Sequence, residues 1–126
     1  MSLKNWDNKT WLSSNSYIKF FNKFLIKETK LNKNSVILDI GCGRGKILGN
    51  LTSKLGLIKK PIGIDIEQHK DRDKRIIFNK TDAISYLKKN RKKFDLILLK
   101  QTIHFLPLKD IKKLLLLCMN RLNSGG

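Results

Sequence analysis

The sequence predicts an α/β fold, a doubly wound parallel sheet with helices on both faces, and three observations carry the prediction. An apolar run, Val36-Ile37-Leu38-Asp39-Ile40, reads as a buried strand and passes directly into Gly41-Cys42-Gly43-Arg44-Gly45, with a helical pattern from Lys46 to Leu55 behind it. Short apolar runs then alternate with helical segments along the chain, the arrangement of parallel strands joined by crossovers. The second run ends in an acid, Asp65, about 20 residues beyond Gly45, where an acid on the next strand can meet a ligand held by a glycine turn.

Before the first strand, Ser16 to Glu28 places Tyr17, Phe20, Phe21, Phe24 and Leu25 at helical spacing, with Lys19, Lys23 and Lys27 on the other face. Ser13, Ser14, Asn15 and Ser16 are its candidate caps, and the aromatic stripe is expected in the core. Ahead of it, Trp6 and Trp11 lie in a polar segment that cannot bury them alone. After the glycine turn and its helix, Pro61 to Glu67 supplies a second strand over Ile62 to Asp65. Glu67 to Lys74 is too polar and too short for the usual crossover helix, so a turn or loop is expected, with His69 in solvent. Arg75 to Ala83 reads as a short apolar strand leading to Asp82, followed by a helix from Ala83 to Lys89. Phe94 to Leu99 is the fourth strand. The last helix, Lys109 to Arg121, is expected to pack Ile111, Leu114, Leu115, Cys118 and Leu122 on one side, before a turn at Asn123 to Gly126.

Glycines on alternate positions let the backbone turn sharply and approach a ligand closely, and the helix behind them presents its N-terminus to that ligand. Spacing separates the loops that share this look. The dinucleotide fingerprint started at Gly41 needs a glycine where Lys46 stands, and started at Gly43 it needs one at Leu48. The phosphate loop read back from Gly45-Lys46 needs glycine at Ile40 and a hydroxyl at Ile47. Both patterns fail. Asp65 can equally be a turn or cap residue, and Asp82 can equally be the N-cap of the helix that follows it.

What remains is Asp39-x-Gly41-x-Gly43-x-Gly45, followed by Gly63-Ile64-Asp65, by Asp82-Ala83 after the third strand, and by Phe94-Asp95 with an apolar strand, polar residues, His104 and Leu106. From Val36 to Pro107 this series resembles the class I S-adenosylmethionine-dependent methyltransferases of the small-molecule type. The resemblance implies a Rossmann-like sheet of strand order 3-2-1-4, interrupted before a fifth strand. It also implies S-adenosyl-L-methionine as cofactor. Asp39, Gly41, Cys42, Gly43 and Gly45 would form the turn against its methionine part and ribose. Asp65 would accept from the ribose hydroxyls, Ile66 would flank the adenine, and Asp82 with the Ala83 backbone would meet the adenine amino group. Lys100 and Gln101 would lie near the methyl position, and Trp11 is a candidate lid, with plain docking on the sheet equally open. His104 and Lys100 are the candidate catalytic groups, His104 being favoured as a packing and hydrogen-bonding residue. No metal is required.

The resemblance implies methyl transfer to a small-molecule acceptor. The chain lacks the Asn/Asp-Pro-Pro-Tyr/Phe run of amino-group nucleic-acid methyltransferases after strand four, and lacks the Pro-Cys of the cytosine-C5 type. An RNA- or protein-directed enzyme, or an inactive cofactor-binding module, stays open as an alternative. The net charge of +17 invites nucleic acid as a partner. Lysine outnumbers arginine 22 to 5, however, and the clusters Lys59-Lys60 and Lys88 to Lys93 are expected at the strand ends away from the glycine turn. No aromatic-interleaved basic motif is evident, so a solvated basic face is the simpler reading.

A single domain is expected over residues 1–126, with a helical segment at 1–33 and the cofactor-binding core at 34–126. The start, Met-Ser-Leu-Lys-Asn, has no apolar signal region and no apolar run spans a bilayer, so a cytoplasmic protein is expected. Cys42 and Cys118 have neither metal-ligand nor redox spacing. An end at Gly126 would leave strand four as an apolar open edge, so the sequence is expected to be the N-terminal part of a longer protein, or to self-associate through that edge.

Overall fold

A computed structural model of the chain describes residues 15–99 and 106–124. The elements are α1 (Asn15–Thr29), β1 (Ile37–Ile40), α2 (Lys46–Leu55), β2 (Ile62–Asp65), β3 (Ile77–Lys80), α3 (Ala83–Lys89), β4 (Leu96–Leu99) and α4 (Leu108–Asn120). The four strands form one parallel sheet of order β3-β2-β1-β4. The expected order is therefore observed, and β1 lies between β2 and β4 with Leu38 opposite both Ile62 and Ile97.

Side-chain alternation along these strands assigns each face its helices. Leu38, Ile40, Ile62 and Ile64 face α3 and α4 and pack with Tyr86, Leu87, Leu114, Cys118 and Phe94. Ile37 and Leu98 face α1 and α2 and pack with Leu25, Leu31, Leu48, Leu51 and Ile76. A sheet covered on both faces needs apolar residues at consecutive strand positions, which is why β1 and β4 read as unbroken apolar runs. Each fully buried leucine or isoleucine contributes about 1.5–3 kcal/mol relative to an exposed one. The buried Arg121 closes the end of the α3–α4 layer, donating from Nε to the Asn90 carbonyl at 2.8 Å and from a terminal nitrogen to the Leu87 carbonyl at 2.7 Å. Among the described residues no helix is long and apolar enough to cross a membrane.

The structure corrects the expected docking of two helices. In α1 the buried residues are Ile18, Asn22 and Leu25, whereas Phe20 and Phe24 are 71% and 54% exposed. The cause is Asn22, whose side-chain amide donates to the Ile47 carbonyl and to Asn50 Oδ1, both at 2.9 Å. These bonds hold α1 against α2 through a polar contact and turn the aromatic face outward. Tyr17 and Phe21 pack on each other at the margin, with ring centroids 5.7 Å apart. In α4, Leu114 and Cys118 are buried but Leu115 is 41% exposed, because four consecutive leucines cannot all point to one side of a helix. The basic clusters stand where expected, Lys59-Lys60 just before β2 and Lys88 to Lys93 between the end of α3 and β4.

The docking of α1 is tested by a pair of truncations. Leu25→Ala should lower the unfolding free energy by about 2–4 kcal/mol, as buried Leu→Ala changes do. Phe24→Ala should change it by no more than about 0.5 kcal/mol, as surface substitutions do. Denaturant melts of both variants measure the difference.

Candidate functional site at the glycine turn

The chain leaves β1 at Ile40 and reverses through Gly41, Gly43 and Gly45, which have φ of 76°, 56° and 77°. This left-handed backbone costs roughly 1–2 kcal/mol per residue for side-chain-bearing residues, so alternate glycines are what the turn requires. The Gly45 N–H donates back to the Cys42 carbonyl at 3.0 Å, and the Gly49 N–H to the Gly45 carbonyl at 2.8 Å, which starts α2 at once.

The turn is fastened to the end of β2. The Gly41 and Cys42 N–H groups both donate to the Ile64 carbonyl, at 2.9 and 3.1 Å. The Gly43 N–H donates to Asp65 Oδ2 at 2.8 Å, while Asp65 Oδ1 accepts from the Glu67 N–H at 3.1 Å. Cys42 is buried, and its Sγ lies 2.8 Å from where a Cβ on Gly63 would stand, so Gly63 permits the close approach. The two outer sides of the turn differ. A Cβ on Gly45 would stand 2.6 Å from Ile76 Cδ1, whereas one on Gly43 would meet no described atom within 4 Å. Among the described residues the surface over Gly43 is open.

Asp39 lies in β1 behind the turn, in register with Gly63 and Leu98, and has no exposed surface. Ile66, the residue after β2, is 67% exposed despite its apolar side chain. Thr81 continues the register by donating its N–H to the Asp65 carbonyl at 3.0 Å. Asp82 then caps α3, its Oδ1 accepting from the Ser85 N–H at 2.9 Å, and hydrogen bonding from the Ser85 side chain, with that backbone bond, holds its carboxyl below the usual aspartate range. Glycine turn, Asp65, Ile66, Asp82 and Ala83 therefore share the C-terminal edge of the sheet, where ligands of open α/β sheets bind. Trp11, Lys100, Gln101 and His104 lie outside the described residues.

Residues 37–126 match a family model described as a methyltransferase domain. The chain belongs to that family. Among solved structures, this methyltransferase domain is similar to an S-adenosylmethionine-dependent methyltransferase from Archaeoglobus fulgidus at 29% identity and a TM-score of 0.67, covering 84% of this chain and 48% of that one. It shares the fold of a methyltransferase from Thiobacillus denitrificans solved with S-adenosyl-L-homocysteine, at 19% identity and TM-score 0.67, over 90% of this chain and 46% of that one. A Geobacter sulfurreducens methyltransferase solved with the same ligand has 20% identity, TM-score 0.67 and the same coverages, 90% and 46%. The chain thus spans about half the length of these structures. No curated protein sequence matches it.

Sequence reasoning missed the residues that brace the methyltransferase turn from outside. The link from β2 to β3 has no helix, as expected, and a set of charged side chains works in its place. Arg72 donates from Nε to the Gly43 carbonyl at 2.9 Å and from a terminal nitrogen to the Glu67 carbonyl at 2.9 Å, and its guanidinium lies 3.3 Å above the Phe78 ring. The Asp73 N–H donates to the Arg44 carbonyl at 2.8 Å. Its carboxylate accepts from Arg75 at 2.9 and 2.7 Å, and Arg75 also donates to Ser53 Oγ on α2 at 2.8 Å. The available signal was the alternation Asp71-Arg72-Asp73-Lys74-Arg75, which looks like solvated loop until the partners are seen. His69, expected in solvent, is half-buried with Nε2 3.6 Å from Glu67.

Asp73 makes the turn's support pH-dependent. The hydrogen bond from Arg75 holds its carboxyl below the ordinary aspartate value, outweighing partial burial. A depressed folded-state pKa gives stability that is present above the unfolded value of about 3.9 and lost as pH falls through the lower folded one. Wild type should therefore lose stability as the medium is acidified below about pH 4. Asp73→Asn should be less stable at neutral pH and show a flatter acid limb, as read from melting midpoints across a pH series.

Proposed function

We propose that this methyltransferase domain binds S-adenosyl-L-methionine over the glycine turn and works as a cytoplasmic enzyme that methylates a small-molecule acceptor. The observation that carries the reading is the open surface over Gly43, flanked by the Asp65 carboxylate at the C-terminal edge of a parallel sheet. A backbone without side chains there accepts close contact from the methionine and ribose portions. Asp65 suits ribose hydroxyls, since each carboxylate oxygen accepts one backbone N–H and keeps a further lone pair. Exposed Ile66 offers an apolar flank to adenine, and Asp82 with the Ala83 backbone offers polar groups to its amino edge. Asp39 and Cys42, being buried, would serve by shaping the turn.

The cofactor, when bound, supplies a methyl group already activated on a positively charged sulfur. The protein's task is then alignment of the acceptor and exclusion of water. Lys100, Gln101 and His104 follow the end of β4, whose last residue Leu99 pairs with Ile40 beside the turn, and Trp11 is the proposed lid. Of these, His104 and Lys100 are the groups able to move a proton from an acceptor. Residues 1–126 are taken as one such domain, with the core starting near residue 34.

Calorimetry with S-adenosyl-L-methionine and S-adenosyl-L-homocysteine tests the reading. Wild type should bind both, and Asp65→Ala should bind about 10- to 100-fold more weakly, the scale of losing a hydrogen bond to a charged group. Asp65→Asn, whose carbonyl can still accept from Gly43, should keep the turn and lose less. A folded wild type that binds neither compound would overturn the proposal.

A further inference from the structure

Outside the strand-end edge, α1 and α2 flank an open groove of about 480 Å3 lined by Lys19, Phe20, Lys23, Asn50, Ser53 and Lys54. Among the described residues its lining carries three lysines and no acid. The aromatic face that the Asn22 contact turns outward supplies its rim. At about 100° per residue, Lys19, Phe20, Lys23, Phe24 and Lys27 fall within an arc of roughly 140°. Phe20 and Lys27 stand opposite the docked face of Ile18, Asn22 and Leu25. Lysines therefore alternate with solvent-exposed rings along α1, a pattern hidden in the sequence because the rings were expected inside.

Charge, ring exposure and shape together select the occupant. Three unopposed lysines in a chain of net charge +17 attract a polyanion and repel a second copy. The segment preceding α1 carries Lys4 and Lys9 against the single acid Asp7, so its net charge is positive and not complementary to the groove. Phosphates alone have no use for an exposed phenyl ring, whereas unpaired bases stack on one. The groove is open and runs between two helices, with the polar side chains of Asn50 and Ser53 beside the lysines, which suits a flexible single strand able to offer both phosphates and bases. We infer that the α1–α2 groove binds a single-stranded nucleic acid, with phosphates on Lys19, Lys23 and Lys54 and a base stacked on Phe20. The inference is independent of methyl transfer, because the groove lies on the flank of α2 and uses none of the residues assigned to the cofactor.

Fluorescence anisotropy of the full chain with a labelled oligouridine, about a dozen nucleotides long to match known single-strand site sizes, reads the binding. The combined change Lys19→Gln, Lys23→Gln and Lys54→Gln should weaken it by at least about tenfold and reduce the slope of log affinity against log salt by about 2. A control with the same charge change, Lys59→Gln, Lys60→Gln and Lys92→Gln, should weaken it by less than about threefold if the groove dominates the contact. Phe20→Ala should cost roughly tenfold and leave the salt slope unchanged, because stacking releases no counterions. All seven side chains are exposed, so the variants should fold as wild type does. The inference is overturned by no binding, by equal losses in the two triple variants, or by an unaffected Phe20→Ala. It is also overturned if duplex RNA or anionic vesicles bind the groove more tightly than the single strand.

Discussion

The join between the glycine turn and the end of β2 is the constraint from which the candidate site follows. One carbonyl, that of Ile64, takes two N–H groups, and the adjacent Asp65 carboxylate takes two more. Left unpaired in a partly buried turn, each such donor would cost about 1–3 kcal/mol. The join exists because parallel pairing sets Ile40 opposite Ile64 and because Gly63 leaves room for Cys42. The separation of about 20 residues between Gly45 and Asp65 is thus the length of one helix and one return strand. Asp65 consequently holds two backbone N–H groups at once, and any group that hydrogen-bonds to it would meet a carboxylate already oriented by the backbone.

The second constraint is the absence of a helix between β2 and β3. Crossover helices normally cover that part of a parallel sheet. Here the guanidinium of Arg72 lies over Phe78, and Arg75 and Asp73 tie the loop to α2. Exposed ion pairs are worth little, but Asp73 is a different case: its carboxyl stands where a side chain on Gly49 would be, so loop and helix interlock sterically. A polar brace replaces an apolar layer at the price of leaving Ile77 on the outer strand half in water.

Much of this was legible in the residues. Strands buried on both faces need continuous apolar runs, and the alternate glycines, the strand-end acids and the missing crossover helix are all local signals. The bounds of α2 and α3 were read as they stand, because glycine and aspartate mark their starts. What escaped the sequence depends on partners far along the chain. Arg72 matters through Gly43, and nothing about an arginine in a charged loop reveals which carbonyl it will reach. Asn22 was invisible for the same reason, since its partners lie on the next helix. Periodicity located an amphipathic helix at α1 but ranked its faces by apolar size, and a buried amide reversed that ranking.

That reversal links the interior of the domain to its surface charge. Docking the phenyl rings would have buried more apolar area, but it would also have pressed Lys19, Lys23 and Lys27 toward α2, whose facing side carries Lys54. Burying like charges together costs more than a phenyl ring contributes, which is about 1.5–3 kcal/mol. With Asn22 inward, the lysines remain hydrated and the rings share their face. The chain's large positive charge is therefore not distributed as a featureless coat. Part of it is gathered on Lys59-Lys60 and Lys88 to Lys93 at the strand ends away from the glycine turn, and part is interleaved with aromatic rings beside α2. The two regions have the same sign but different chemistry, since only the second combines charge with an exposed stacking surface.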